Sequence, residues 1–256
     1  MRIKSLVAIV LIGFLGCSSS SVPDERLSGE FSVSATKKIR FTLGNLRYNV
    51  GSQTWDFAKN QSYVVGERNK NFDNKTYNGY IDLFSWDDLE TISSIYKGKG
   101  RILSKKEWNY LLHERENADD LWGYGIVDNQ EGLFLLPDNW NFSDDENFPF
   151  TSGVPYYRGW AGYDLKNTFS LDEFMRYEKK GVVFLPSAGH VDAHLSEEGH
   201  RLYTYYRGYG NGSGFYFYLN EGSEDLKYGV IEIRIKGFRN EYPFRRCSVR
   251  LVQDVK

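Results

Sequence analysis

The chain has 256 residues, enough for one large domain or two modest ones, and 41% of them are hydrophobic. An aromatic share of 16%, mostly Tyr (19) and Phe (17), is too high for a disordered chain. The formal net charge of -2 leaves no electrostatic case for nucleic acid.

At the N-terminus Arg2 and Lys4 precede an apolar run, residues 6–15, of signal-peptide length and too short to span a bilayer. It ends in Phe14-Leu15-Gly16-Cys17. A small residue just before a cysteine here resembles a bacterial lipobox, with Phe14 where leucine is more usual. The resemblance implies a signal peptide over residues 1–16 and a lipid on Cys17, the first residue of the mature protein. The alternative is an ordinary signal peptide that happens to contain a cysteine. Several acyl chains on one residue anchor stably to a bilayer. Cys17 and Cys247 are the only cysteines, so a lipidated Cys17 leaves no intrachain disulfide and no cysteine-rich zinc site. Residues 17–30 are small and polar and read as a flexible tether. Within it Asp24-Glu25 faintly resembles the acidic export signal of surface lipoproteins in the Bacteroidetes, although two acids in a linker are commonly just solvated.

Residues 31–90 read as a strand-rich N-terminal unit. Phe31, Val33 and Ala35 alternate with serines, and Ile39, Phe41 and Leu43 alternate with Arg40 and Thr42. Gly44-Asn45 and Gly51-Ser52 are turn signals. Trp55 and Phe57 share a face, and Tyr80, Leu83, Phe84 and Trp86 follow; we expect these in a core. Residues 87–96 fit a short helix, with Leu89, Ile92 and Ile95 or Tyr96 at helical spacing. Residues 104–115 give the strongest helix signal: Ser104 and Glu107 fit a capping box, and Trp108, Leu111 and Leu112 make an apolar stripe. LWGYGIV (121–127) and GLFLLPDNW (132–140) read as strand, turn, strand. A second capping box, Ser170 with Glu173, opens a helix with Phe174 and Tyr177 on one side and Gly181 as its stop.

GVVFLPSAGH (181–190) reads as a central strand over residues 182–185, ended by Pro186, that hands the chain to a sheet. Residues 202–207 and 215–220 are expected as aromatic strands joined by a glycine-rich link. Ile231, Ile233 and Ile235 alternate with charged residues, as in an antiparallel strand with one wet face. Cys247, Val249 and Leu251 share a face in a last strand.

RILSKKEWNYLLHERENADDLWGYGIV, GLFLLPDNW, GVVFLPSAG and CSVRLVQDV occur in this order, after FSVSATKKIRFTLGNLRYN. Together they resemble a large group of secreted Bacteroidetes proteins. The C-terminal halves of that group are similar to the C-type lectin-like fold, in the branch with formylglycine-generating enzymes and retroelement variable proteins. The resemblance implies two helices flanking a small twisted antiparallel sheet over residues 91–256, with the chain ends meeting. Departures limit it. The tryptophan-serine-serine run of related sequences is replaced by Leu202-Tyr203-Thr204-Tyr205-Tyr206. The calcium lectin's ligand triplets are absent, so calcium-dependent sugar binding does not transfer. The oxidase chemistry of the enzyme branch needs two cysteines, and only Cys247 is left in the mature chain.

Three stretches carry candidate sites. His190, Asp192, His194 and His200, with Glu197 and Glu198, are plausible transition-metal ligands, but a solvated histidine loop accounts for them as well. Asp138, Asn139, Asp144, Asp145, Glu146 and Asn147 offer hard oxygens suited to calcium without an EF-hand spacing, and a solvated acidic turn is the plainer account. The sharpest candidate is YTYYRGYGNGSGFYFYLN (203–220). Tyr gives contact area at low entropic cost, and Gly, Ser and Asn give adaptable hydrogen bonding, the mixture of antibody paratopes. Tyr203, Tyr205, Arg207, Tyr209, Asn211, Tyr216, Tyr218 and Asn220 are the ligand-binding candidates. The alternative is a tyrosine-rich hairpin whose alternate residues pack inward.

The expected fold is therefore α+β: a strand-rich N-terminal part joined to a C-type lectin-like domain. No nucleophile elbow, phosphate loop or zinc-protease helix is present in the sequence. We assign no catalytic residue, metal or cofactor. The expected protein is a lipid-anchored, outer-membrane lipoprotein, surface-exposed, that recognises a glycan or a protein. A structural subunit of a surface assembly or a fimbrial tip adhesin is the alternative.

Overall fold

The computed structural model describes residues 27–96, 100–144, 150–152, 167–195, 201–206, 216–220, 230–234 and 246–256. In chain order these form β1 (Phe31–Ser34), β2 (Lys37–Phe41), β3 (Leu46–Asn49), β4 (Thr54–Phe57), a 3-10 turn (Gly66–Asn71), β5 (Tyr80–Ile81) and β6 (Leu83–Phe84). Then come α1 (Trp86–Ile95), α2 (Lys105–Asn109) with a π-helical turn (Tyr110–Glu114), β7 (Trp122–Val127), β8 (Gln130–Leu135), β9 (Thr168–Phe169), α3 (Leu171–Glu178) and β10 (Val183–Pro186). The remainder is strand: β11 (His190–Leu195), β12 (Arg201–Tyr206), β13 (Tyr216–Asn220), β14 (Val230–Arg234), β15 (Arg246–Ser248) and β16 (Val252–Asp254). The architecture is mixed α+β, rich in strand, with several small sheets.

All three α-helices start on a capping box, including one that the sequence pattern did not single out, Ser85 with Asp88 on α1. The serine hydroxyl accepts from the N–H three residues on, while the carboxylate there accepts from the serine N–H. On α1, Ile92 and Tyr96 are buried and Ile95 is 46% exposed. The long helix expected over 104–115 is shorter. It passes into the π-helical turn, where the Arg115 N–H donates to the Tyr110 carbonyl. The Trp108, Leu111 and Leu112 stripe stays buried.

Sheet β10-β8-β7-β9 carries core on both faces. Val183 and Leu185 of β10, with Leu133 and Leu135 of β8, face β1, β2 and the α2 stripe. Val182, Phe184, Phe134 and Leu136 face Phe169, Phe174 and Tyr177 from β9 and α3. β7 and β8 form a hairpin whose turn residues Asp128 and Asn129 both have positive φ, 50 and 62°, as a two-residue primed turn requires. The strand expected over 182–185 is buried throughout, yet it is an edge strand of its sheet and not a central one. It runs through Pro186, which pairs with Gly132; an edge tolerates a proline because one side of the ladder is open.

Side chains close that open edge. The Gln61 amide copies a peptide unit: Nε2 donates to the Val182 carbonyl (3.1 Å) and Oε1 accepts from the Phe184 N–H (2.8 Å). Arg250 is fully buried. It donates to the carbonyls of Phe184, Thr42 and Leu43, to Asn45 Oδ1 and to Gln61 Oε1, at 2.8–3.2 Å. Burial lowers its pKa to about 9, against the opposing field of Glu178. Burial also raises Glu178, with a hydrogen bond from Gln61 offsetting part of the effect.

The single last strand expected over 247–252 divides in two. β15 pairs with β11 and β6, whereas β16 pairs with β2, and the link between them carries Arg250. The stretches before and after residue 90 thus share two sheets, since β2 meets β16 and β6 meets β15. A third core joins Leu46, Phe57, Ile81 and Phe84 to Ile92, Tyr96, Val249 and Leu251.

Candidate functional site

The two expected tyrosine-bearing strands are present, and they pair with different partners rather than with each other. β12 pairs with β11 at the edge of sheet β12-β11-β15-β6, and β13 pairs with β14 in a separate two-stranded sheet. β11 anchors β12 to the body: His190 and Val191 are buried, and their strand is tied to β15. In register, Tyr203 stands opposite Ala193 and Tyr205 opposite Val191. Tyr216 stands opposite Arg234, Tyr218 opposite Glu232 and Asn220 opposite Val230. Arg207, Tyr209 and Asn211 lie outside the described residues, as do Cys17 and the tether up to residue 26. The 3-10 turn at Gly66–Asn71 runs beside β12 and beside β5.

That turn is held by a reciprocal pair. Asn69 Oδ1 accepts from the N–H groups of Asp82 and Leu83 at 2.8 and 3.0 Å. The Asp82 carboxylate accepts from Asn69 Nδ2 (2.8 Å) and the Val65 N–H (2.9 Å). Burial raises the Asp82 carboxyl to about 6, with the bonds from Asn69 and Val65 offsetting part of the cost of charge there.

Next to it, on the face of β3–β4–β5 away from the third core, lies an arginine–tyrosine cluster. The β3–β4 register puts Arg47 opposite Asp56, and the two form a bidentate pair. The guanidinium lies 4.1 Å from the Tyr80 ring centre and 5.5 Å from that of Tyr63. The Tyr80 hydroxyl donates to Asp56. Both rings are half-buried. Stacked tyrosine and arginine supply planar contact area together with fixed donors. The turn at Gly51-Ser52 was readable, and counting outward from it already faces Arg47 with Asp56; that charge pairing is the signal that would have found the cluster.

The histidine stretch is not the solvated loop that its composition suggests. Residues 190–195 are strand β11, and His190 is 2% exposed. His200, Glu197 and Glu198 lie outside the described residues. Asp138 is likewise no solvated acid. It accepts from the Ser32 N–H (3.0 Å) and hydroxyl (2.7 Å), and from Arg115 (3.2 Å). Burial opposes its charge, but these donors hold its pKa below the ordinary value. Arg115, sealed from solvent, also donates to the Leu136 and Leu121 carbonyls. Asp138 therefore ties β1 to the segment that follows β8; Asp145, Glu146 and Asn147 lie outside the described residues. Among the described residues no three His, Cys, Asp or Glu side chains converge. Cys247 is a buried thiol opposite His190 in the β11–β15 ladder.

A shallow groove of about 440 Å³ between β1 and α2 carries Lys37, Arg101, Lys106, Glu107, Tyr110 and Asp254. Arg101 bridges Glu107 (2.7 Å) and Asp254 (2.7 Å), and Lys37 meets both at 3.3 Å. Burial works against the Glu107 charge, but Arg101 and the Ser104 cap outweigh it and hold the carboxyl at about 2. Glu107 therefore stays charged at neutral pH.

No protein-family model, curated protein or solved structure matches the chain. Among the described residues no helix is long and apolar enough to cross a membrane.

Proposed function

We propose that the chain is a lipid-anchored cell-envelope lipoprotein, held at the outer membrane by Cys17, that recognises a glycan or protein ligand without catalysing a reaction. Its ligand face is built on the tyrosine-bearing segment 203–220, with Tyr203, Tyr205, Arg207, Tyr209, Asn211, Tyr216, Tyr218 and Asn220 as the contact set. The observation that carries this reading is the composition of the segment together with its footing. Tyrosines recur along two strands, RLYTYY and YFYLN, and the first of these is laddered onto β11, whose residues His190 and Val191 are buried. Rigid strands that flank a small-residue stretch are the usual way to present adaptable contacts from a fixed scaffold. The neighbouring Arg47, Tyr63 and Tyr80 cluster supplies the same chemistry close to the turn that borders β12.

The C-type lectin-like plan belongs to the same proposal. Two capped helices, α2 and α3, flank the β10-β8-β7-β9 sheet, and β16 returns to pair with β2 near the start of the body. Fold alone does not establish function, so the weight rests on the site.

The direct test is a glycan array probed with the mature chain carrying Cys17→Ser in place of the lipid site. Retention of a defined subset of glycans is the expected result. Uniform lack of binding by a chain that elutes as a discrete oligomer would replace recognition with the role of an assembly subunit.

A further inference from the structure

The first described residues are fastened to the C-terminal end of α3. Leu27 is buried and its N–H donates to the Phe41 carbonyl (3.0 Å). The Ser28 hydroxyl donates to the Lys179 carbonyl (3.2 Å). Gly29 crosses Gly181 so closely that a Cβ on Gly181 would stand 2.4 Å from the Gly29 Cα. The tether therefore leaves the body beside α3. Its length from Cys17 to Leu27 is ten residues, a reach of no more than about 35 Å even when fully extended.

The outer side of α3 at that point has its own character. Phe174 and Tyr177 turn into the core, while Met175, Arg176, Lys179 and Lys180 are exposed. The Lys179 N–H still donates to the Met175 carbonyl, which sets Lys179 one turn above Met175; Arg176 adjoins Met175 in sequence and Lys180 follows just past the helix. Asp172 and Glu173 are in the first turn, where Arg176 is close enough to add to the Ser170 cap in holding the Glu173 carboxyl below its ordinary pKa, and Glu178 accepts from the buried Gln61. The helix dipole accounts for a base in the last turn. It does not account for a methionine that is 41% exposed.

We propose that this face of α3 rests on an anionic lipid bilayer surface. The proposal rests on the reading of Cys17 as the lipidated residue, which brings the bilayer within reach of the tether. Arg176, Lys179 and Lys180 meet the lipid phosphates, and Met175 dips toward the acyl boundary. Docking on this face fixes the orientation of the body, so that the lipid is an anchor and α3 is a second, weaker contact.

The test uses the chain from residue 17 with Cys17→Ser, mixed with vesicles of phosphatidylcholine, either pure or with roughly a third phosphatidylglycerol. Co-sedimentation with the anionic vesicles that fades at high salt is expected. Combined Arg176→Gln, Lys179→Gln and Lys180→Gln should lower that partition about 100-fold, since each base near such a surface contributes close to a factor of five. Equal partition of wild type and triple variant, or no binding by the wild type, overturns the docking face. The intact mass of chain extracted from membranes reports the lipid on Cys17 separately. An unlipidated chain that still binds by charge keeps the α3 face and removes the anchor. A lipidated chain indifferent to the three substitutions does the reverse.

Discussion

Gln61 and Arg250 show how two side chains can do the work of a missing strand. The edge of β10 presents the Val182 and Phe184 carbonyls and the Phe184 N–H, and all three are met by these residues. A buried arginine is costly to desolvate, and burial lowers its pKa to about 9. Removing it is costlier still, because the carbonyls of Thr42, Leu43 and Phe184 would stay buried and unmatched. Arg250→Met should therefore cost about 3 kcal/mol or more in urea unfolding, since each buried acceptor left unmatched costs about 1–3 kcal/mol. Arg40→Met, which breaks the half-exposed pair with Glu30, should cost less than about 1 kcal/mol. Equal losses would mean that the edge closure has no special weight. Asp82 gives a pH signature at the same scale. Its carboxyl is raised by burial to about 6, so between the ordinary carboxylate range and pH 6 the folded chain holds a proton that the unfolded chain has lost. The contribution is full below that range and fades as pH rises through 6. A carbon-detected NMR titration of Asp82 with its midpoint near 6 is expected; a midpoint near 4 would contradict the burial argument. Neither Arg250 nor Asp82 was legible in the sequence. Their partners lie far along the chain, such as Thr42 for Arg250, and a side-chain bond over that distance leaves no local period to read.

Elements were far more legible, wherever a local rule decides them. The Ser104 and Ser170 caps, the Trp108 stripe, the alternation of β1 and β2, and the Gly181 stop follow from spacing alone. Gly181 has a φ of 93° and lies against Gly29, so Gly181→Ala should lose about 1–3 kcal/mol from backbone strain plus the clash. Ser170→Ala should lose about 1 kcal/mol, the value of one N-cap. Thermal melts rank them; a Gly181→Ala as stable as wild type would refute the close crossing. The misread elements have a common cause. Residues 247–252 alternate like one strand, but the division into β15 and β16 is set by two different partners, β11 and β2. The two tyrosine strands look like neighbours in sequence, yet β12 takes β11 as its partner and β13 takes β14. Periodicity reports a strand's faces and is silent on who pairs with it.

At the scale of the whole molecule, the first and last described strands close on each other through β2 and β16, and Arg250 ties both to β10. The strand-rich stretch over residues 31–90 is joined to the later strands by shared sheets and shared cores. Such a body holds β12 against β11, and we propose that the tyrosine-bearing face is built from there. Recognition through that face is the central claim, and tyrosines at a contact centre typically carry much of the binding energy. The decisive measurement is the affinity of the Tyr205→Ala, Tyr209→Ala and Tyr216→Ala triple variant for the tightest glycan retained on the array, read beside its melting temperature. Affinity should fall about 100-fold or more while the melting temperature stays within a few degrees of wild type. Unchanged affinity in a variant that melts with the wild type would contradict recognition through this segment.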